Sequence, residues 1–70
     1  MPYQTDELPE AKRQLDSLLH KLRSTVVTLE GKAEPKRYAA QITLAKRRIR
    51  ALEIACELLA QRMAEEGRTS

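Results

Sequence analysis

Few side chains in this 70-residue chain can act as an acid, a base or a nucleophile. His20 is its only histidine and Cys56 its only cysteine. Asp16 and Ser17 lie close to His20 in the sequence, but all three fall on the polar side of a helical pattern. Nothing there would desolvate or orient them as a catalytic group. Cys56 falls on a core position of a second helical pattern, where cysteine packs as a small hydrophobic residue.

Sequence motifs of catalysis and of metal binding are missing. The chain has no glycine-rich phosphate loop, no HExxH and no CxxC motif. A chain of this size also has little room for a ligand pocket, unless two copies form one between them. We therefore expect a protein that is not an enzyme, with no catalytic residue, no cofactor and no metal.

Basic residues are densest in the second half of the chain, where they suggest contact with nucleic-acid phosphates. The pattern is weak, because successive helical residues point about 100° apart and Lys46, Arg47 and Arg48 therefore encircle a helix. The net charge is only +3, and aromatic residues for stacking on single strands are scarce. We keep nucleic-acid binding as an alternative function, carried by Lys36, Arg37, Lys46, Arg47 and Arg50.

Apolar residues at spacings of three and four predict a first helix over about residues 6–30. Thr5 or Asp6 is expected to cap it, Pro9 belongs in its first turn, and Gly31 is expected to end it in the left-handed conformation. Residues 1–5 are expected to form a flexible tail. The predicted core positions are Ala11, Leu15, Leu18, Leu19, Leu22, Val26 and Leu29.

A second, longer helix is predicted over about residues 35–66, beginning at Pro35, with a frayed end at 67–70. The short connection through residues 31–35 forces the two helices to lie antiparallel. The fold class is therefore all-α, a two-helix antiparallel hairpin forming a single domain over residues 6–66.

The apolar residues of the second helix cover about 200° of its circumference, twice what one buried face needs. A heptad stripe contains Tyr38, Ile42, Ala45, Ile49, Leu52, Cys56, Leu59 and Met63. A second stripe beside it contains Ala40, Leu44, Ala51, Ala55 and Leu58. Arg48 lies between the stripes, where its charge either pairs with Asp16 of the first helix or reaches solvent over the apolar surface.

One hairpin partner cannot cover both stripes, so we expect two hairpins to dimerise into a four-helix bundle. The alternatives are that the first helix covers the whole arc, or that a different chain completes it. The orientation of the two hairpins is left open. The predicted dimer interface consists of Tyr38, Leu44, Arg48, Ala51, Ala55 and Leu58.

By elimination, the sequence predicts a small protein–protein interaction module that binds and modulates another, unidentified protein. The layout is similar to that of small accessory proteins of bacterial mobile elements and phages, which implies inhibition or adaptation of a host regulator. No apolar run approaches the roughly 20 residues that span a bilayer, and the first ten residues do not resemble a signal peptide, so we expect no membrane partner and a cytoplasmic protein. Candidate target-binding residues are Tyr3, His20, Arg23, Val27, Arg47, Arg50 and Ile54.

Overall fold

Two long helices connected by a short turn make up the structure, a computed structural model. It describes residues 3–69, without the side chains of Pro35 and of residues 67–69. Helix α1 spans Leu8–Glu30 and helix α2 spans Ala39–Thr69, and each follows a short 3-10 helix, Thr5–Glu7 and Pro35–Tyr38. The described part of the chain contains no strand. The predicted all-α hairpin is confirmed. The molecule measures 54 × 20 × 14 Å along its three principal axes.

The start of the first helix differs from the prediction. Thr5 and Asp6 lie inside the 3-10 helix, so neither of them caps α1. The backbone N–H of Gln4 instead donates to Oε2 of Glu7 at 2.7 Å. The 3-10 helix therefore begins at Thr5, the last residue of the expected 1–5 tail, of which residues 1 and 2 lie outside the described part. Pro9 falls within the first two positions of α1, as expected, where its missing N–H leaves no helical hydrogen bond unmade.

Gly31 does end α1, but the predicted left-handed conformation is wrong. Its φ of −83° and ψ of −2° are right-handed, and its N–H donates to the carbonyl of Val27 at 3.1 Å. The next N–H, of Lys32, donates to the carbonyl of Leu29 at 3.2 Å. The chain leaves the helix by tightening its last turn, which requires no positive φ.

The bounds of α2 are shifted by three to four residues at both ends. The first turn after Pro35 is 3-10, so the α-helix begins at Ala39. At the other end the helical backbone continues to Thr69, three residues beyond the predicted end at residue 66. Glycine costs only about 1 kcal/mol relative to alanine inside a helix, so Gly67 alone does not stop it.

The core is a single line of contact between the helices. Its buried residues are Leu8, Leu19, Val26, Ala45 and Cys56. All other members of the predicted heptad stripe of α2 are half-buried. On α1 the buried line includes Leu8, which the sequence analysis missed, while Ala11 and Leu18 are exposed and were wrongly assigned to the core. The core line of α1 is thus rotated away from the flank that carries Ala11 and Leu18.

Candidate interaction surface

An apolar face runs along one side of the hairpin and includes the second stripe of α2. Leu44 is 44% exposed and Leu58 is 60% exposed. They lie seven residues before and after Ala51, which places all three on one side of α2. Leu18 of α1, 48% exposed, contributes to the same face. We call this surface the apolar face; it holds three of the large hydrophobic side chains that the described residues expose.

A groove of about 420 Å³ lies in the middle of the apolar face. Leu18 and Leu22 form its α1 wall, and Arg48, Ala51 and Leu52 form its α2 wall. The exposed alanine Ala51 leaves room there for side chains of another helix. The groove is open to solvent along its length and holds no cluster of groups that could do acid–base chemistry.

Arg48 does not pair with Asp16, which was one of its two predicted environments. It is exposed at the edge of the groove and has no ion-pair partner among the described side chains. The structure therefore agrees with the other prediction, in which the guanidinium reaches solvent over apolar surface. The register of the two helices differs from the expected one: the connection continues through the 3-10 helix at 35–38, and Asp16 lies beside Cys56.

The opposite side of the hairpin is charged, and ion pairs join the two helices there. Arg23 contacts Glu53 at 2.8 Å, and Lys46 contacts Glu30 at 3.1 Å. Arg50 reaches the other oxygen of Glu53 at 3.6 Å. The hydrogen bond from Arg23 is the main cause that lowers the pKa of Glu53, with Arg50 adding to it. We call this side the charged face.

Cys56 is buried between the helices, as expected for a core residue. Its Sγ donates to Oδ1 of Asp16 at 3.5 Å, and Lys12 donates to the second oxygen of that carboxylate at 2.9 Å. Burial raises the pKa of the Cys56 thiol, and the hydrogen bond and negative charge of Asp16 raise it further. The hydrogen bond from Lys12 lowers the pKa of Asp16. A thiol held in this protonated form is a poor nucleophile.

Four of the candidate target-binding residues are brought together on the charged face. Arg23 and Arg50 share the Glu53 carboxylate. Val27, which is 72% exposed, lies one turn along α1 from Arg23. His20 lies three residues before Arg23. Helical spacing joins positions 20, 23 and 27 into one line, so the exposed aliphatic Val27 lies beside His20 and an arginine that is paired with Glu53.

The remaining candidates lie elsewhere. Tyr3 lines a second groove, of about 370 Å³, at the open end of the hairpin with Glu7, Leu8, Ala11 and Leu59. Arg47 and Ile54 lie seven residues apart on the side of α2 that points away from α1, and Ile54 is 43% exposed. The candidate set therefore does not form one surface.

The basic cluster is not one stripe either. Lys46 and Arg50 are engaged by Glu30 and Glu53 on the charged face. Arg48 is at the groove on the apolar face. The basic residues Lys36, Arg37 and Arg47 are exposed near the turn. Contacts with nucleic-acid phosphates would therefore have to be made by basic residues on several sides of the turn end, and not by one side of α2.

Charge is distributed unevenly along the long axis, a feature that the sequence analysis did not consider. The half of the hairpin that contains the turn, residues 20–53, has nine basic and three acidic residues, a formal charge of +6. The open half, residues 3–19 and 54–69, has four basic and seven acidic residues, a formal charge of −3. We call these the turn half and the open half.

No family model matches the chain, and neither a curated protein nor a solved structure is significantly similar to it. Within residues 3–69, no helix is long and apolar enough to span a bilayer. The same part of the chain contains no group of three or more His, Cys, Asp or Glu side chains placed to hold a metal ion. The surface therefore has to be interpreted from its own geometry.

Proposed function

We propose that this chain is a non-enzymatic protein–protein interaction module. Two hairpins pack their apolar faces together into a four-helix bundle, and the bundle binds and modulates another protein. The observation that supports this most is the division of the hairpin into an apolar face with a central groove and a charged face with cross-helix ion pairs. A hairpin that worked as a monomer would have no reason to confine its exposed leucines to one side.

The size of the core supports the same proposal. No large side chain of the described residues is completely buried, and only five residues are buried at all. Chains of this length without disulfides usually need further support, and association of apolar faces is one source of it. Full burial of a leucine contributes about 1.5–3 kcal/mol, so covering Leu18, Leu44 and Leu58 in both copies makes folding and dimerisation strongly coupled.

Substitution on the apolar face tests the dimer. Leu44→Asp places a charge on that face and is expected to give a monomer, or an unfolded chain if folding depends on association. Thr43→Asp is the matched control, since Thr43 is the exposed neighbour of Leu44 on the other side of the helix. Sedimentation equilibrium of the two variants measures the outcome. If both remain dimeric, the apolar face is not the interface.

Target binding is proposed to occur on the charged face, which the dimer leaves free. The line of His20, Arg23 and Val27 offers an aliphatic contact within the turn half of charge +6, suited to an acidic segment of a target that also has apolar residues. Affinity capture from a bacterial lysate, with nuclease treatment, would compare the wild-type chain with Val27→Asp and with the control Ser24→Asp. A target that is lost only with Val27→Asp supports the proposal; recovery of nucleic acid alone contradicts it.

Nucleic-acid binding is the second candidate function, and the +6 charge of the turn half is the observation that favours it. Binding through phosphates would weaken steeply with added salt, and the double substitution Lys36→Glu and Arg37→Glu, at exposed residues outside the charged face, would weaken it further. Fluorescence anisotropy with a labelled duplex at several salt concentrations measures both effects. Capture of a protein target by the same double variant at wild-type yield would separate the two candidates.

A further inference from the structure

We infer that the two hairpins of the proposed dimer run in opposite directions, so that the turn half of each copy lies against the open half of the other. The inference rests on the dimer proposed above and assigns its orientation. Four features of the hairpin support it: the distribution of charge, the symmetry of the two flanks of the apolar face, the position of Ile54, and the environment of Arg48.

Two closed arrangements bring the apolar faces together. If the twofold axis runs along the helices, the hairpins are parallel and α1 of one copy faces α2 of the other. If the axis crosses the helices at mid-length, the hairpins are antiparallel, α1 faces α1 and α2 faces α2. The first arrangement puts two turn halves of charge +6 side by side. The second puts each turn half beside an open half of charge −3, which converts repulsion into attraction.

The flank of α2 on the apolar face has alternating spacings of four and three, and its centre lies between Ala51 and Ala55. Its members are Leu44, Arg48, Ala51, Ala55, Leu58 and Arg62. These positions are symmetric about position 53, because the spacings toward the N-terminus are the same as those toward the C-terminus. The two small alanines at the centre allow two copies of α2 to approach closely where the axis would cross them.

The flank of α1 has the same alternating spacing about position 20. Its members are Ala11, Leu15, Leu18, Leu22, Thr25 and Leu29. Thr25 fits an apolar contact because its hydroxyl already donates to the carbonyl of Lys21 at 3.0 Å. The contacts of Arg23 with Glu53 and of Cys56 with Asp16 place residue 20 of α1 within a few residues of the level of residue 53 of α2. One axis at this level therefore passes through the centres of both flanks.

The antiparallel arrangement also gives the exposed Ile54 an apolar neighbour. This aliphatic residue lies on the outer rim of α2 and is 43% exposed in the single hairpin. Position 54 lies beside the proposed axis, so its two copies meet each other across the rim. In the parallel arrangement the same side chain would face Lys21 of the second copy. The two copies of Lys21 approach each other in the antiparallel dimer, and their long side chains can turn the ammonium groups into solvent.

Arg48 gains a complementary environment in the same arrangement. It is exposed at the central groove and has no ion-pair partner among the described side chains. Reversal about position 53 places it opposite Leu58 of the second copy, in the acidic open half. Parallel packing would instead place it over the basic turn half of the second copy.

The distance between spin labels at the turn tests the orientation. In a Cys56→Ala background, Lys32→Cys places a label 12 residues from the proposed axis level, so that the two labels lie about 40 Å apart in an antiparallel dimer, at 1.5 Å rise per residue on each side. In a parallel dimer they lie within about 25 Å, roughly the width of two hairpins. Ser24→Cys is the matched control, because position 24 is close to the axis level and gives a short distance in both arrangements. Electron–electron double resonance measures these distances.

A long distance from Lys32→Cys with a short distance from Ser24→Cys is the expected result. Two short distances would overturn the antiparallel orientation and leave the dimer intact. No dipolar coupling from either variant, together with the mass of a single chain, would overturn the dimer itself. Circular dichroism checks that the variants fold.

Zero-length amine–carboxylate cross-linking of the unmodified chain gives the same answer without substitutions. In mixed dimers of ¹⁴N and ¹⁵N protein, an antiparallel arrangement links Lys32 to Glu7 or Glu10 of the other isotope. A parallel arrangement gives no isotopically mixed link between the turn and the open end, and that result would contradict the inference.

Discussion

Truncating Leu58 to alanine separates a dimer from a hairpin that works alone. This side chain is 60% exposed in the single hairpin. Removing three carbons from a fully buried leucine costs about 2.4 kcal/mol, at about 0.8 kcal/mol per CH₂. Covering the exposed 60% in a dimer therefore contributes roughly 1.4 kcal/mol per copy, and the two copies together contribute about 2–3 kcal/mol to association.

Such a loss of association free energy raises the dissociation constant roughly 30- to 150-fold, since 1.4 kcal/mol corresponds to a factor of ten. In a monomer the same substitution removes only the smaller, already covered part of the side chain, about 1 kcal/mol of folding stability. Sedimentation equilibrium over a range of protein concentrations measures the dissociation constant. Thermal unfolding at two concentrations gives a second readout, because the Tm of a dimer rises with concentration.

Glu57→Ala is the control for this experiment, since Glu57 is the exposed neighbour of Leu58 on the outer side of α2. It is expected to leave the dissociation constant within a factor of about two, as surface substitutions usually cost less than 0.5 kcal/mol. Equal dissociation constants for wild-type protein, Leu58→Ala and Glu57→Ala would refute the reasoning, because Leu58 would then be exposed in the associated state as well.

Three further substitutions test the hairpin itself. Leu19→Ala, at a core residue only 5% exposed, is expected to lower the free energy of unfolding by about 2–5 kcal/mol in urea titrations. Asp16→Asn removes a charge that raises the pKa of Cys56, so native protein at pH 8 is expected to react faster with a thiol reagent; an unchanged rate would contradict the contact. Because Arg23 lowers the pKa of Glu53, that carboxylate stabilises the fold above the unfolded pKa of about 4.3, and the contribution is lost as the pH falls through the lower folded value. Glu53→Gln is therefore expected to flatten the fall of Tm between pH 5 and pH 3, and an unaltered slope would argue against the ion pair.

The heptad stripe of α2 could be predicted from sequence because its period is a property of the helix alone. All its residues from Tyr38 to Met63 are buried or half-buried. Exposure of Leu44 and Leu58 could be predicted in the same way, since one neighbouring helix covers only one side. On α1 the same reasoning failed for Ala11 and Leu18, because the core stripe and the exposed flank are adjacent and only the packing of the helices decides between them.

Contacts between the helices depended on a register that the sequence did not determine. The expected pairing of Arg48 with Asp16 assumed that the turn ended at Pro35. The 3-10 helix Pro35–Tyr38 takes up three residues beyond Pro35, and in the observed register Cys56 lies beside Asp16. Gly31 shows a related limit: a glycine permits the left-handed conformation but does not require it, and the chain here turns without it.

The mass of the unmodified chain in solution tests the central claim most directly. Sedimentation equilibrium at micromolar concentration is predicted to give about twice the 8.0 kDa of one chain, with a shift toward the single-chain mass only on strong dilution. A folded, helical species of 8.0 kDa at that concentration would contradict the claim that the apolar face is covered by a second copy.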